Sequence, residues 1–480
     1  MPLVLGVDSS TQSTKVEARD LATGDLVASG SAAHPPVQPP VSEQDPNAWW
    51  AALIEAMAQL GEVRREVVAM SIAGQQHGLV LVDRAKTPVR PAKLWNDTTS
   101  ADAAARLVDA LGASRWSTAC GSVPVAAFTV AKLAWIAEHE PAALDTTASI
   151  MLPHDYLTWR ATGQHVTDRG DASGTGWFDP ETNEYRQDLF DAAGAGVALD
   201  LLPRVLGPTE VAGTLTAEAA EELGLSPQVV VGPGTGDNMA GALGLGLRPG
   251  DSVISLGTSG TAYAVSATPT KDPTGAVAGF ADADGGFLPL VCTLNATRVT
   301  DTFAALMGAD RDGFAELALA ANTAAGGPTL LPYLDGERTP NLPNARGALF
   351  GIETGVEREA LALAAHDGVL CGLLDGLDAL SACGVPLDGR RFLVGGGARS
   401  AAYRQRYADL TQQDIVVPDA DETVATGAAV QAAAISSSEP IASVAAAWGC
   451  GSGTTTQPRL GADGDVRQRY AAATGAADQL

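Results

Sequence analysis

The first turn of the chain places a carboxylate among hydroxyl groups. Asp8 follows the apolar run at residues 3–7, and Ser9, Ser10 and Thr11 come directly after it. The amides and hydroxyls of such a turn can hold a phosphate while the carboxylate orients a hydrated metal ion. An Asx-turn that only closes a strand end fits the same residues. From the residues alone, both interpretations stay open.

A second carboxylate stands in a glycine-rich turn near the middle of the chain. Asp237 and Asn238 follow the apolar run at residues 229–231 and the turn at 232–236. This pattern predicts a strand, a turn and a helix that starts near Asp237. A carboxylate in that position can simply cap the helix, which stabilises it by about 1 kcal/mol. The excess of glycine favours a functional role, because glycines let a ligand approach the backbone closely.

Two further turns carry polar side chains at the ends of predicted strands. Gln76 and His77 stand in one of them, and Trp95, Asn96 and Asp97 stand in the other. Planar amides, imidazoles and carboxylates beside an aromatic ring are suited to a polyhydroxyl ligand. A lone histidine is nevertheless more often a satisfied structural group.

The second half of the chain contains two turns that bear glycine. Gly257 and Thr258 lie in a hydroxyl-rich turn that echoes the first turn of the chain, and Gly396, Gly397 and Arg399 follow a short apolar run. Neither turn has the G-x-G-x-x-G or the G-x-x-x-x-G-K-[ST] pattern, so a P-loop kinase is disfavoured. Zinc-ligand spacing and a G-x-S-x-G elbow are also missing from the sequence, so zinc and serine hydrolases have no support.

Length and composition indicate a globular chain with two cores. The 480 residues exceed one ordinary core, and 46% of them are hydrophobic. The formal net charge of −26 repels nucleic acid and anionic membranes, so neither is an expected partner. Five scattered cysteines and an N-terminus without a signal-peptide pattern predict a cytoplasmic protein.

The elements that must position these turns alternate between strands and helices, which predicts an α/β architecture with covered sheets. The strands expected at residues 3–7 and 252–255 each run into a hydroxyl-rich turn. This repetition indicates a duplicated α/β domain with a ligand between the halves, although coincidence is the alternative. We expect one domain at residues 1–245 and a second at 246–480. A long apolar pattern at 360–382 predicts a core helix.

Taken in chain order, these segments resemble the FGGY carbohydrate kinases, which belong to the actin-like (ribonuclease H-like) ATPase superfamily. The resemblance extends from residue 3 to about residue 435. Its segments are LGVDSSTQSTK, SEQDPNAWW, IAGQQHG, LWND, MLPHDYLTWRATG, GTGDNMAGALG, SLGTSGT, LPYLDGERTPNLP and VGGGARS. It implies an α/β fold of two actin-like ATPase domains with a cleft between them.

The resemblance also implies a role for each candidate residue. The general base would be Asp237, and the metal-side carboxylate would be Asp8. Contacts to the sugar would come from Gln76, His77, Trp95, Asn96, Asp97 and Asn238. The phosphates and the nucleotide would be held by Ser10, Thr11, Gly257, Thr258, Gly396, Gly397 and Arg399.

Within the family, the AGQQHG, LWND and GTGDN segments resemble the branch that acts on D-xylulose. The implied reaction is transfer of the γ-phosphoryl group of ATP, with Mg²⁺, to a terminal hydroxyl, which gives D-xylulose 5-phosphate. The small-molecule partners are thus a sugar and ATP, and a homodimer is suggested by resemblance alone. Two alternatives remain: a kinase for another ketose or polyol such as D-ribulose, and a non-kinase actin-like ATPase. The sequence departs from the family pattern at Ser10, where glycine is common, and at Thr99, where arginine is common.

Overall fold

The computed structural model describes residues 1–322, 326–342, 344–462 and 465–477. These residues form two compact units, each built from three segments of the chain. Unit 1 consists of Met1–Leu247, Ala267–Leu288 and Ala420–Gly451, and unit 2 consists of Arg248–Ser266, Pro289–Asp419 and Ser452–Leu480.

Strands and helices alternate along the described part of the chain. The strands are β1 Leu3–Ser9, β2 Ser13–Asp20, β3 Leu26–Ala33, β4 Glu43–Gln44, β5 Val67–Gly74, β6 Val80–Asp83, β7 Ala92–Lys93, β8 Thr147–Met151, β9 Val166–Asp168, β10 Phe178–Asp179, β11 Glu184–Tyr185, β12 Arg204–Leu206, β13 Gly213–Thr214, β14 Val230–Val231, β15 Thr235–Gly236, β16 Ser252–Leu256, β17 Gly260–Ala264, β18 Ala278–Ala281, β19 Phe287–Thr293, β20 Thr329–Leu331, β21 Ala348–Phe350, β22 Arg391–Val394, β23 Ile415–Pro418 and β24 Gly453–Thr456.

The α-helices are α1 Pro46–Ala58, α2 Ala101–Leu111, α3 Ala113–Cys120, α4 Thr129–His139, α5 Pro141–Thr146, α6 Pro153–Thr162, α7 Arg169–Ala172, α8 Gln187–Asp191, α9 Ala217–Leu223, α10 Asp237–Gly244, α11 Thr297–Leu306, α12 Arg311–Ala320, α13 Arg358–Ala382, α14 Ala401–Thr411, α15 Thr423–Ser437, α16 Ile441–Ala447 and α17 Val466–Ala477. Short 3₁₀ helices cover Gly61–Glu66, Leu199–Leu201 and Gly396–Arg399.

The main sheet of unit 1 has the strand order β13-β14-β5-β1-β2-β3, and β15 also pairs with β5. Strand β1 runs antiparallel to β2 and parallel to β5. Every residue of β1 is buried, because the sheet is covered on both faces. Trp49 and Leu53 of α1 belong to the hydrophobic core that includes Leu5 and Val7 of β1. On β1, Gly6 is required, because an added Cβ would lie 1.9 Å from the carbonyl oxygen of α15 residue Ala425.

Helix α15 joins unit 1 through unusually close packing against α10. A Cβ added at Gly427 would lie 1.7 Å from the carbonyl oxygen of Ala240, and one added at Gly244 would lie 1.9 Å from that of Thr423. Glycines on both helices therefore let the two backbones nearly touch. The contact units consequently differ from the contiguous division at residues 1–245 and 246–480, since residues 420–451 pack on the first sheet.

The main sheet of unit 2 contains the strand order β19-β17-β16-β22-β23-β24. Strand β16 runs antiparallel to β17 and parallel to β22, which is the arrangement of β1 with β2 and β5. The predicted repetition of a strand and hydroxyl-rich turn is therefore confirmed as two sheets with matching local topology.

Helix α13 is the long apolar helix predicted at residues 360–382. By length and composition it could cross a membrane, but 72% of its most apolar stretch is buried inside the protein. A Cβ added at Gly376 would lie 3.1 Å from the side chain of Val291 in β19. The prediction of a core helix is confirmed by this packing.

Candidate active site

Three loops of unit 1 meet at one edge of its main sheet. Strands β1, β5 and β15 run parallel, with Ser9 and Gly236 both paired with Gly74. Parallel strands present their carboxyl ends at the same edge, so the loops that follow them lie side by side. Three segments are therefore neighbours at this edge: the turn after β1, the turn after β5 and the start of α10.

The turn after β1 holds a buried carboxylate within a set of hydroxyls. Asp8 is 4% exposed and accepts a hydrogen bond from the Ser10 hydroxyl. Burial raises the pKa of Asp8 to about 6, although the Ser10 hydrogen bond and the charge of Lys15 oppose the shift. The Thr11 hydroxyl donates to Gln75 Oε1 at 3.2 Å and accepts from Trp95 Nε1 at 2.8 Å. The hydroxyl of Thr11 is thus engaged within the protein.

The turn after β5 presents a buried amide with an unused donor. Gln76 is 4% exposed, and its Oε1 accepts a hydrogen bond from Asn238 Nδ2 at 2.8 Å. Its Nε2 is buried and has no hydrogen-bond partner among the described residues. An unpaired buried donor costs about 1–3 kcal/mol, a cost that a hydroxyl of a bound ligand would remove. This finding supports the predicted contact between Gln76 and a sugar.

His77 is held in a strained backbone conformation within an aromatic cluster. Its φ of 65° lies in the left-handed region, which only a few per cent of residues other than glycine adopt. The imidazole stacks on Phe128 at a ring-centroid distance of 5.1 Å and lies 5.4 Å from the Phe280 ring. Its Nδ1 donates to the Gly174 carbonyl oxygen at 2.9 Å. The ring position is therefore fixed by several partners, and the strain is typical of functional sites.

Asp237 is the first residue of α10, as predicted, and the preceding Gly236 is the N-cap. Its Oδ1 accepts from the backbone amide of Asn238 at 2.8 Å and from Asn238 Nδ2 at 3.0 Å. Burial, followed by the negative charges of Asp8 and Asp171, raises the pKa of Asp237 to about 7. A carboxylate with a pKa near neutrality is well matched to accept a proton.

The turn at residues 95–97 divides into an exposed part and a buried part. Trp95 is 37% exposed, and Asn96 has a buried Oδ1 without a hydrogen-bond partner among the described residues. Asp97 is fully buried and accepts from the amides of Ser42 at 2.9 Å and Thr99 at 3.0 Å. Both carboxylate oxygens of Asp97 are occupied within the protein. The geometry gives Asp97 a positioning role in this turn, and its direct contact with a sugar stays a prediction.

A buried cation stands beside Thr99, the position at which the sequence lacks the arginine common in the family. Lys93 Nζ donates to Thr99 Oγ1 at 2.8 Å and forms an ion pair with Asp97 at 3.3 Å. The same ammonium group lies 3.8 Å from the ring centroid of Trp135. Lys93 therefore supplies positive charge next to this departure from the family pattern.

In unit 2, the two predicted glycine turns also lie at one sheet edge, since β16 and β22 are parallel with Ser255 opposite Val394. Gly257 follows β16, and its carbonyl oxygen accepts from the Thr297 hydroxyl at 2.8 Å. A Cβ added at Gly397 would lie 2.6 Å from Leu256 Cβ, whereas one added at Gly396 would meet no atom within 4 Å. The two turns are thus packed against each other, and Gly396 faces open space.

The remaining residues of these two turns lie on the surface of unit 2. Thr258 is exposed, and its carbonyl oxygen accepts from the Ala296 amide at 3.2 Å. Arg399 ends the 3₁₀ helix and is also exposed. Exposure at a sheet edge leaves both side chains accessible to a ligand.

Sequence reasoning missed several residues that hold these loops in place. It left out Gln75, which links Thr11 to the turn after β5, and the ring pair Phe128 and Phe280 that surrounds His77. The segment with His154 carries no predicted chemistry. Aromatic residues distant in sequence give no periodic signal that places them against one histidine.

The folds of the two units define an α/β protein with two actin-like domains. The sequence matches the FGGY family of carbohydrate kinases, with the N-terminal domain at residues 3–244 and the C-terminal domain at residues 252–436. This chain belongs to the FGGY family of carbohydrate kinases, whose members use ATP as a substrate.

Named relatives extend this likeness. A xylulose kinase from Streptomyces rubiginosus is 51% identical over 448 residues, which are 93% of this chain and 91% of that protein. The crystal structure of xylulose kinase from Bifidobacterium adolescentis has 41% sequence identity and a TM-score of 0.86, with 99% of each chain covered. A second kinase structure of this kind, from Brucella ovis, has 30% identity and a TM-score of 0.91 over the full length of both chains.

Proposed function

We propose that this chain catalyses the ATP-dependent phosphorylation of D-xylulose to D-xylulose 5-phosphate. The observation that carries the proposal is the meeting of Asp237, whose pKa is raised to about 7, with Gln76 and its unpaired Nε2 at one sheet edge. The likeness to xylulose kinases over more than nine-tenths of the chain supports the choice of sugar.

The proposed chemistry is direct transfer between two oxygens. The terminal hydroxyl oxygen of the sugar forms a bond to the γ-phosphorus of ATP, and the bond from that phosphorus to the β,γ-bridging oxygen breaks to release ADP. Asp237 accepts the proton of the attacking hydroxyl. Gln76, Asn96 and His77 orient the sugar, and Trp95 offers an exposed ring beside it, so that the reacting oxygen is held near the phosphorus.

The residues of unit 1 fit a magnesium ion carried by the nucleotide. Mg²⁺ in kinases is held by one or two carboxylates together with substrate phosphates and waters. Asp8 suits this role, since the neighbouring Lys15 is paired with Glu422 at 2.6 Å instead. When bound, Mg²⁺ would neutralise charge on the β- and γ-phosphates.

Each unit contains turns to which nucleotide contacts are assigned, and each unit is considered by itself. Within unit 1 we assign phosphate binding to the backbone around Ser10 and Thr11, because turns of this kind present amides to anions. Within unit 2 the turn with Gly257 and Thr258 is assigned the same capacity for the same reason. The turn with Gly396, Gly397 and Arg399 would receive the nucleoside end. The proposal also includes action in the cytoplasm and a homodimeric state. Sedimentation of the purified protein tests whether it is a homodimer.

An ADP-release assay over a panel of pentuloses, hexuloses and polyols tests the function. We expect D-xylulose to give the highest kcat/KM and ADP release to depend strongly on sugar, with the phosphate found on the terminal oxygen. A preference for glycerol, gluconate or L-ribulose would remove the assigned sugar. ATP hydrolysis at the same rate with and without every sugar would remove the kinase assignment.

A further inference from the structure

A buried histidine in unit 1 is surrounded by three carboxylates close to the carboxyl end of β5, where a Cβ added at Gly74 would lie 3.0 Å from His154 Cβ. His154 is fully buried, with Nδ1 at 2.8 Å from Asp171 Oδ2 and Nε2 at 3.1 Å from Asp155 Oδ1. The distance from Nε2 to Asp168 Oδ1 is 3.7 Å. Burial alone would lower the pKa of His154, but the three carboxylates outweigh it and raise the pKa to about 9. An imidazolium at this position offsets the charge of carboxylates that would otherwise be costly to bury.

Asp168 connects this cluster to the helix that starts with the proposed base. Its carboxylate caps α7 by accepting from the amides of Gly170 at 2.8 Å and Asp171 at 3.0 Å. The same carboxylate accepts from the Thr235 hydroxyl at 2.7 Å. Thr235 stands two residues before Asp237, so one hydrogen bond joins the N-terminal cap of α7 to the residues that lead into α10.

The opposite end of α7 leads to the sugar side of the site. The amide of Gly174 donates to the Asp171 carbonyl oxygen at 2.9 Å, and the Gly174 carbonyl oxygen accepts from His77 Nδ1 at 2.9 Å. A Cβ added at Gly174 would lie 2.4 Å from the His77 ring. The segment from Asp168 to Gly174 thus contacts His77 at one end and the approach to Asp237 at the other.

We propose that Asp168 and Thr235 are positioning residues for phosphoryl transfer, which hold the Asp237 carboxylate at a fixed place relative to the His77 side of the sugar site. The inference rests on the proposed function, because it takes Asp237 as the base and His77 as a sugar contact. Neither Asp168 nor Thr235 touches the substrate; each acts through the residue that it holds.

The local backbone explains why a side-chain contact is needed here. Strand β15 is only two residues long, and its pairing with β5 ends at Gly236. The preceding Gly234 has a φ of 76°, and its added Cβ would lie 2.5 Å from the Ile72 carbonyl oxygen. A two-residue strand that contains one glycine and follows another is weakly constrained by its own sequence. The hydroxyl of Thr235 anchors it to a buried, charge-compensated carboxylate.

The test compares Thr235→Val with Thr235→Ser in the full-length enzyme. Valine keeps the shape of threonine and removes the hydrogen bond to Asp168, whereas serine retains the hydroxyl. Thr162→Val is the matched control, because the Thr162 hydroxyl is also buried and donates to the Thr158 carbonyl oxygen at 2.7 Å, away from this cluster. His154→Asn is a second probe of the cluster, but removing the imidazolium endangers folding, so the threonine variants carry the decision.

We expect Thr235→Val to lower kcat for D-xylulose by about 10–100-fold, the scale of a small misplacement of reacting groups. KM for ATP should change little, Thr235→Ser should stay within a few-fold of the wild type, and Thr162→Val should keep its kcat. The inference is overturned if Thr235→Val keeps its kcat while only its Tm falls, if serine fails to rescue, or if Thr162→Val loses as much activity.

Two reference measurements separate this inference from the proposed function. If the wild type releases ADP with D-xylulose and Asp237→Asn is inactive while Thr235→Val is normal, only the positioning role falls. If the wild type shows no sugar-dependent ADP release, or if Asp237→Asn is fully active, the proposed function falls and the positioning role falls with it.

Discussion

Asn238 Nδ2 lies 2.8 Å from Gln76 Oε1 and joins the first turn of α10 to the turn after β5. The same Nδ2 lies 3.0 Å from Asp237 Oδ1, so one side chain links the proposed base and a proposed sugar contact. The link orients the Gln76 amide and thereby leaves its Nε2 as the unpaired group. A Cβ added at Gly236 would lie 2.6 Å from Gln76 Cγ, which explains the glycine between the two elements.

Gln76→Met should weaken sugar binding without a comparable effect on ATP. Methionine fills a similar volume but offers no donor to the sugar, so we expect KM for D-xylulose to rise about tenfold, equivalent to about 1.4 kcal/mol, or one to two hydrogen bonds. Steady-state kinetics with each substrate varied in turn provides the measurement. Gln431→Met is the control, because the amide of Gln431 is equally buried but is paired with Ser71 and Pro208. If Gln76→Met and Gln431→Met have the same KM for D-xylulose, Gln76 is not part of the sugar site.

His77→Asn should raise KM for D-xylulose by about tenfold, the scale of one or two lost hydrogen bonds, and leave KM for ATP unchanged. Asparagine tolerates the left-handed backbone at this position, so the change tests the imidazole rather than the turn. His366→Asn in unit 2 is the matched control: burial lowers the pKa of His366 to about 4, and its ring stacks on Phe314 at 5.4 Å. The His366→Asn variant should have a lower Tm, and its KM values for D-xylulose and ATP should be unchanged. If His77→Asn behaves in the same way, this histidine is structural.

Local sequence signals were sufficient for the elements that begin or end at a distinctive residue. Helix α10 starts at Asp237, as its glycine-rich turn predicts. Local sequence signals failed where a contact joins distant parts of the chain. The packing of α15 on β1 depends on Gly6 meeting Ala425, a pair that no periodicity relates.

The same limit explains the gaps in the prediction of the candidate site. Asp97 and Asp8 are both carboxylates at strand ends, but only the structure reveals that Ser42 and Thr99 occupy the oxygens of Asp97. Burial and its effect on the pKa of Asp237 depend equally on residues from other segments. The residue types at the site could thus be predicted from sequence, whereas their division into ligands and supports could not.

Gly396→Ala should weaken nucleotide binding without harming the fold. An added Cβ meets no atom of the protein within 4 Å, so a bound nucleotide is what the methyl group would obstruct. We expect KM for ATP to rise roughly tenfold, in the range of overpacking by one methyl group, with KM for sugar and Tm unchanged. Gly475→Ala, whose Cβ also meets nothing within 4 Å, is the control. An unchanged KM for ATP in Gly396→Ala would place the nucleotide elsewhere.

The dependence of activity on pH should report the ionisation of Asp237. A general base acts only when deprotonated, and burial raises the pKa of Asp237 to about 7. We therefore expect kcat/KM for D-xylulose to rise with pH up to about pH 7 and then to level off. If kcat/KM instead falls only below pH 5, the group that must be deprotonated for activity is not Asp237 with its raised pKa.

Asp237→Asn separates a catalytic base from a residue that only stabilises α10. Loss of the proton acceptor should lower kcat by about 10²–10⁴-fold. Because the folded pKa of about 7 lies above the ordinary value of 3.8, the folded state binds the proton more tightly, and stability falls as pH rises from about 4 to about 7. The uncharged asparagine escapes this loss, so its Tm should equal the wild-type Tm near pH 4 and exceed it at pH 8. If Asp237 only stabilises α10, the Asp237→Asn variant should stay active, and its Tm should be no higher than that of the wild type at pH 8. Paired kinetics and thermal unfolding over this pH range decide between the two roles.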